Sequence, residues 1–363
     1  MLLILGQDIA DNFEDLSDED IINLEDLLFY HSRFYHYIAV TKRTALDLIR
    51  KGEGKLTGRG VQTLRLMSTQ SIDLPGLLKA VPLHAVVRQV EMIGCTVYND
   101  DDKTKWVCDL KFAAKWFSQP STLIGENLTD TKIFFAAGLD FAAENSVNGK
   151  MQKIKGEMSG GSGNAAPVMI NRIVEGAGPV LCIIDSDKLS QNSDPSESVK
   201  KCVAVPKEMG GISYFKAVEE RELENLLPAA IIEGAISELP MSPDRDLIQQ
   251  RFELLKTLRA ASPNIYAHVD VKQGTCMNWA ANQNLKKFFE IAPVILPCPC
   301  HKNCDGLIAP PIFKEMLNKA ADFVEKQSST KLRAALVKEP RTNWLKFGGL
   351  VLSFALSNNV RAT

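Results

Sequence analysis

Charge of one sign is what this chain most lacks. Its 42 Lys and Arg stand against 44 Asp and Glu, a formal net charge of −2 over 363 residues. That excludes a protein that coats nucleic acid through overall basicity, so any phosphate contact must come from a local patch. Long apolar runs are missing too. Met1–Leu5 is apolar but brief and is followed by acids, and Phe347–Leu356 is far shorter than a bilayer span. No Walker motif is present. Gly52-Glu-Gly-Lys55-Leu-Thr57-Gly-Arg-Gly60 lacks the first glycine, and Lys55 is followed by Leu where Ser or Thr is required. A turn between helices is expected there, and an intrinsic ATPase is not. His31 and His36, in an aromatic-rich stretch, do not share a helix face well, so core packing is expected of them rather than a metal pair.

The eight cysteines are too few for a disulfide framework in so long a chain, and Cys108, Cys182 and Cys202 lie on apolar runs. They read as reduced thiols, and a cytoplasmic, non-membrane protein is expected. Hydrophobic content of 45% and charged content of 24% are ordinary for a globular chain of two or three domains. The expected division is a mixed α/β part over 1–117, an α/β part over 118–275, and a helical, basic part over 276–363. Asp8–Asp26 holds nine acids and no base on what reads as amphipathic helix, whereas Phe313–Thr363 has nine Lys and Arg against four Asp and Glu. Asn99–Lys103 reads as a hairpin tip.

The middle alternates strand and helix. Strands are expected at Leu123–Gly125, Met151–Met158 and Val180–Ile184, with a later one at Ile265–Val271. Helices are expected from Thr129 or Asp130, from Asn164 as N-cap through Ile173, near Glu219–Leu227, and over Asp246–Ala261. The unbroken apolar run Val180–Ile184 suits a parallel sheet buried on both faces, whose sites belong at the carboxyl ends of its strands. Acids fall at such ends. Glu126 and Asp130 are a helical turn apart at one strand-to-helix junction, and Asp185 and Asp187 share a side at another. Four converging carboxylates cannot all stay ionised without a cation, and oxygen-only ligands favour Mg²⁺ or Mn²⁺, two ions of which would serve phosphodiester chemistry. Helix capping by the aspartates and a surface position for Glu126 are the plain alternative. Gly161, Ser162, Gly163 and Asn164 could offer backbone N–H groups to a phosphate or simply make a tight turn.

Gly-Glu126-x-x-x-Asp130, Asp185-x-Asp187 and the intervening glycine-rich turn resemble the TOPRIM domain of topoisomerases, primases and the overcoming-lysogenization-defect (OLD) type nucleases. The resemblance covers roughly 118–275. It implies a Rossmann-like fold with a parallel central sheet, the family glutamate at Glu126 and the paired aspartates at Asp185 and Asp187. Arg221-Glu222-Leu-Glu224-Asn225 is similar to an acidic segment of the OLD branch and implies a further metal ligand at Glu222. Asp270-x-Lys272-x-Gly274 is similar to its late lysine motif and implies a cation beside the scissile phosphate. A Mg²⁺-dependent endonuclease acting on DNA or RNA, as an effector of phage defence, is what the resemblance implies. A non-catalytic TOPRIM scaffold and a primase-like nucleotidyl transferase are the alternatives. OLD nucleases carry an ATPase ahead of this unit and this chain does not, so a separate ATPase or regulatory partner, or a homo-oligomer, is expected to restrain it. Cys298, Cys300, His301 and Cys304 match a zinc set in type, but packed into seven residues they do not match separated zinc knuckles, and incidental thiols are the expectation.

Overall fold

The computed structural model describes residues 1–33, 35–89, 94–100, 103–147, 151, 154–176, 178–283, 306–337, 339 and 341–357. The apolar opening run forms β1 (Leu2–Leu5), an interior strand flanked in parallel by β2 (Tyr37–Ala39) and β3 (Leu83–Val87). β4 (Cys95–Asp100) and β5 (Lys103–Cys108) pair antiparallel; residues 101 and 102 of the expected tip lie outside the described residues. With β5 parallel to β3, the sheet order is β2-β1-β3-β5-β4. The acidic stretch is helical over Asp18–Ser32. Ser17 and Asp20 cap its start reciprocally, and Leu24, Leu27 and Leu28 are buried. Gly52–Thr57 connects the Lys42–Lys51 and Gly58–Gln70 helices as a turn. Both histidines are core residues: His31 Nδ1 meets Ile38 O at 3.0 Å, and His36 Nε2 meets Gln119 O at 2.8 Å. Among the described residues no helix is long and apolar enough to cross a membrane.

A second sheet is wholly parallel. It contains β6 (Thr122–Gly125), β7 (Lys155–Met158), β8 (Val180–Ile184) and β9 (Ser213–Ala217) in the order β7-β6-β8-β9. All five residues of β8 are buried, as a strand covered on both faces requires. The Leu128–Glu144 helix packs on β6 and β7, while the Ala165–Val174 and Glu197–Met209 helices pack on each other and over β8 and β9. The architecture is α/β, one mixed and one parallel sheet flanked by helices. β7 is shorter than the expected strand; Met151 instead makes an isolated bridge to Leu356. β9 was not anticipated, because Ser-Tyr-Phe-Lys-Ala shows too brief an alternation to stand out.

Ile265–Val271 is not a strand. Pro263–Tyr266 is a short helix opened by proline, and turns follow to Gly274. Spaced Ile265, Val269 and Val271 mimic a strand in sequence, yet all three are core residues, the first on that short helix and the other two on the turns after it. Beyond Gly274 the described residues are mainly helical, with β10 (Thr275–Cys276) pairing antiparallel with β11 (Leu307–Ala309). The Thr342–Ala355 helix then lies along Leu128–Glu144. Their backbones approach so closely that a Cβ on Gly348 would sit 2.3 Å from Ala137 O. One apolar cluster runs from Met1 and β3 through β6 and β8 to Phe354.

Candidate active site

The carboxyl ends of β6 and β8 lie side by side, because the two strands are hydrogen-bonded neighbours. Glu126 follows β6 and Asp185 follows β8, and the pairing brings them into contact: the Asp185 N–H donates to Glu126 Oε1 at 3.1 Å. The chain after β8 is pinned to two later loops. Ser186 Oγ donates to Glu220 O at 2.6 Å and the Asp187 N–H to Arg221 O at 3.0 Å. The Arg221 N–H in turn donates to Ala267 O at 2.7 Å. Residues 126, 185–187, 220–224 and 267–272 are thereby gathered at one sheet end. Asp187 is exposed and holds φ +55°, a left-handed conformation that aspartate tolerates better than most side chains.

Asp130 and Asp185 each fasten a helix start, while the helix that follows Asp187, Glu197–Met209, is capped by Ser196. Asp130 Oδ2 accepts the Asn127 N–H at 2.8 Å and so fastens the start of the Leu128–Glu144 helix. Asp185 Oδ1 accepts the Leu223 N–H at 2.8 Å at the start of the Leu223–Leu226 helix. Each bond uses one carboxylate oxygen. The glycine-rich turn is tied to the same place: the Gly160 and Gly161 N–H groups donate to Glu126 O at 3.1 and 3.3 Å, and the Asn164 N–H donates to Gly161 O at 3.1 Å. Gly161 and Asn164 thus spend their N–H groups inside the protein, which leaves Ser162 and Gly163 as the turn's candidates for a phosphate. Asn164 directly precedes its helix, as expected, without a side-chain cap bond.

The late loop delivers a cation. Gly274 adopts φ +83° and its N–H bonds Asp270 O at 2.9 Å, while Asp270 Oδ1 accepts the Lys272 and Gln273 N–H groups. This tight turn sends Lys272 Nζ to 2.7 Å from Glu224 Oε1 and 3.4 Å from Glu222 Oε2. Arg221 lies 3.1 Å from Asp270 and 3.6 Å from Glu222. Glu224 is the residue that sequence reasoning passed over. Its side chain is only 1% exposed, and its Oε2 has no hydrogen-bond partner. The signal was available: an acid flanked by Leu223, Leu226 and Leu227, all buried, is itself carried into the interior.

Burial, and after it the crowding of like charge, perturbs the group. Burial, then the Asp187 and Asp130 carboxylates, push Glu126 up to about 7 against the Asp185 N–H and Lys272. Burial and the neighbouring Glu126, Glu224, Asp130 and Glu222 drive Asp185 well above the carboxylate range. Burial raises Asp130 as well, and takes Glu224 to about 7 in spite of Lys272. Burial pulls Lys272 down, but Glu224, Glu222 and Asp185 outweigh it and hold the ammonium above its ordinary value.

All the donors are carboxylate oxygens, the set that suits Mg²⁺ or Mn²⁺. Among the described residues, however, no three His, Cys, Asp or Glu side chains stand in an arrangement that could hold a metal ion as they lie. The ammonium of Lys272 sits on two of the carboxylates. The residues fit a divalent ion in chemistry, in charge deficit and in the unpartnered oxygen of Glu224; their present spacing is set around a lysine. Cys298, Cys300, His301 and Cys304 lie outside the described residues. No family model, curated protein or solved structure matches this chain.

Proposed function

We propose that this chain is a divalent-cation-dependent nuclease of TOPRIM type, nearest in its motifs to the OLD nucleases, that cuts phosphodiester bonds of nucleic acid in the cytoplasm. The observation that carries the reading is the direct contact of Glu126 with Asp185 at adjoining parallel strand ends, beside Asp130, Asp187, Glu222 and Glu224 with Lys272 as their close cation. Asp185, Asp187 and Glu222, with the spare oxygens of Asp130 and Glu126, would hold the metal. A bound divalent ion supplies positive charge to the attacking and leaving oxygens of a phosphodiester.

The chain's own groups do the rest. Glu126, held at about 7, exchanges a proton readily at neutral pH. Where Glu126 shuttles the proton instead of ligating the metal, Oε2 is the atom that carries it, since Oε1 is engaged by the Asp185 N–H. The burial of Asp185 strengthens every charge interaction around it. Lys272, on a turn fixed through its backbone, supplies an ammonium to charge that develops on phosphate. Purified protein incubated with plasmid, linear DNA and tRNA should cut at least one of them with Mg²⁺ or Mn²⁺ and none with EDTA. Intact substrates under every condition would overturn the reading.

A further inference from the structure

Lys272 is fixed in backbone, and its side chain is partly exposed. Asp270 Oδ1 accepts its N–H at 3.0 Å, and the Gly274 turn closes behind it. The side chain is 35% exposed, so it enters the carboxylate group from the solvent side. There it bridges Glu224 at 2.7 Å and Glu222 at 3.4 Å. Glu224 cannot stand ionised in its 1%-exposed position without a cation, because removing the partner of a buried charge is among the costlier changes a protein undergoes. The nearby Arg221 is not a substitute, since it is held between Asp270 and Glu222. One ammonium therefore does the work of a counter-ion for carboxylates that outnumber it, and Glu224 keeps a buried oxygen with no hydrogen-bond partner.

Building on the metal-dependent reading of this site, we propose that Lys272 is a resident counter-ion which a divalent cation displaces from Glu222 and Glu224. The ion brings twice the charge to the same carboxylates, with the unpartnered oxygen of Glu224 lying beside the one the ammonium leaves. The flexible four-carbon stem of lysine lets the ammonium swing outward without moving the turn that carries it. Two consequences follow. Without metal, the lysine keeps the carboxylates together and the fold intact. With metal, the same ammonium is delivered to the mouth of the site, where a phosphate arrives, so that metal loading and the presentation of Lys272 are one event. A lysine bound permanently to Glu224 as a structural ion pair would do neither.

The test uses the wild-type chain first. Amine acylation followed by mass spectrometry is run in EDTA and in saturating Mn²⁺, and the modification of Lys272 is compared with that of exposed lysines such as Lys200. Labelling of Lys272 should rise several-fold with metal while Lys200 stays constant. Calorimetric titration with Mn²⁺ should then show binding about tenfold tighter in Lys272→Met than in wild type. A lysine that was merely close would also repel the metal, but its labelling would not change. If wild type binds Mn²⁺ with no change in Lys272 labelling, displacement is wrong while the metal site stands, and equal or weaker binding by Lys272→Met has the same meaning. If neither protein binds a divalent ion, the metal site and the displacement fall together. Should Lys272→Met fail to fold, the wild-type labelling decides alone.

Discussion

The Leu128–Glu144 helix carries buried carboxylates at both ends, and the two ends are built differently. At the far end Asp140 pairs with Arg341 Nε at 3.1 Å and accepts the Trp344 Nε1–H at 3.1 Å. Glu144 meets Arg341 at 2.9 Å and Arg333 at 3.5 Å. Two acids face two arginines. Burial still raises Asp140 above its ordinary range, with Arg341 and Trp344 pulling against it. About 15 Å away along the axis, Asp130 joins Glu126, Asp185, Glu222 and Glu224, whose close cations among the described residues are Lys272 and, 3.6 Å from Glu222, Arg221. The matched end fastens the Thr342–Ala355 helix to its neighbour. The unmatched end fastens two helix starts and concentrates carboxylates at a sheet edge, where the proposed cation would complete it.

The largest contrast should appear on substitution. Asp185→Ala should lower cleavage by at least about two to three orders of magnitude. Its unfolding midpoint should equal or exceed that of the parent, because repulsion within the site is relieved. Parental cleavage by Asp185→Ala would place the chemistry elsewhere. Arg341→Met should do the reverse. Asp140, at 0% side-chain exposure, would keep its charge and lose its counter-ion, at a cost of about 3–5 kcal/mol in denaturant unfolding. Adding Asp140→Leu should recover much of that loss, since an apolar pair of similar bulk replaces the ions. No recovery would mean that Arg341 serves through Glu144 or through packing.

A smaller effect separates the ends by pH. Glu126 and Glu224 are raised from an ordinary 4.5 to about 7 in the folded chain. The folded state therefore holds more protons than the unfolded state between those values. The stability that goes with those protons is complete below about 4.5 and is lost as pH climbs through about 7. In EDTA, the unfolding midpoint should fall from pH 5 to pH 8, and Glu126→Gln should flatten that fall. A slope unaltered in Glu126→Gln would assign it to other groups.

What was legible beforehand follows the same division. A strand buried on both faces must be continuously apolar, so Val180–Ile184 announced itself, and the acids at its end came with it. Leu123–Gly125 and the helix after Glu126 were equally plain, because the period of the apolar residues changes at Asn127. Ile265–Val271 misled, because spaced apolar residues look alike whether they line a strand or plug a core from a turn. β9 was lost to its brevity. The partnership of Lys272 with Glu224 depends on the path of two loops around the sheet end, and no local pattern encodes it. Nor does any pattern show that Asp185 lends one oxygen to the start of the Leu223–Leu226 helix.

Thermal unfolding with and without divalent cation is the most direct measurement on the unmatched end. A ligand that binds only the folded chain raises its midpoint by mass action. Wild type should gain in saturating Mn²⁺ relative to EDTA, Arg341→Met should gain comparably from its lower starting point, and Asp185→Ala should gain nothing. A wild-type midpoint indifferent to Mn²⁺ and Mg²⁺, or an equal gain in Asp185→Ala, would contradict a cation site at the ends of β6 and β8.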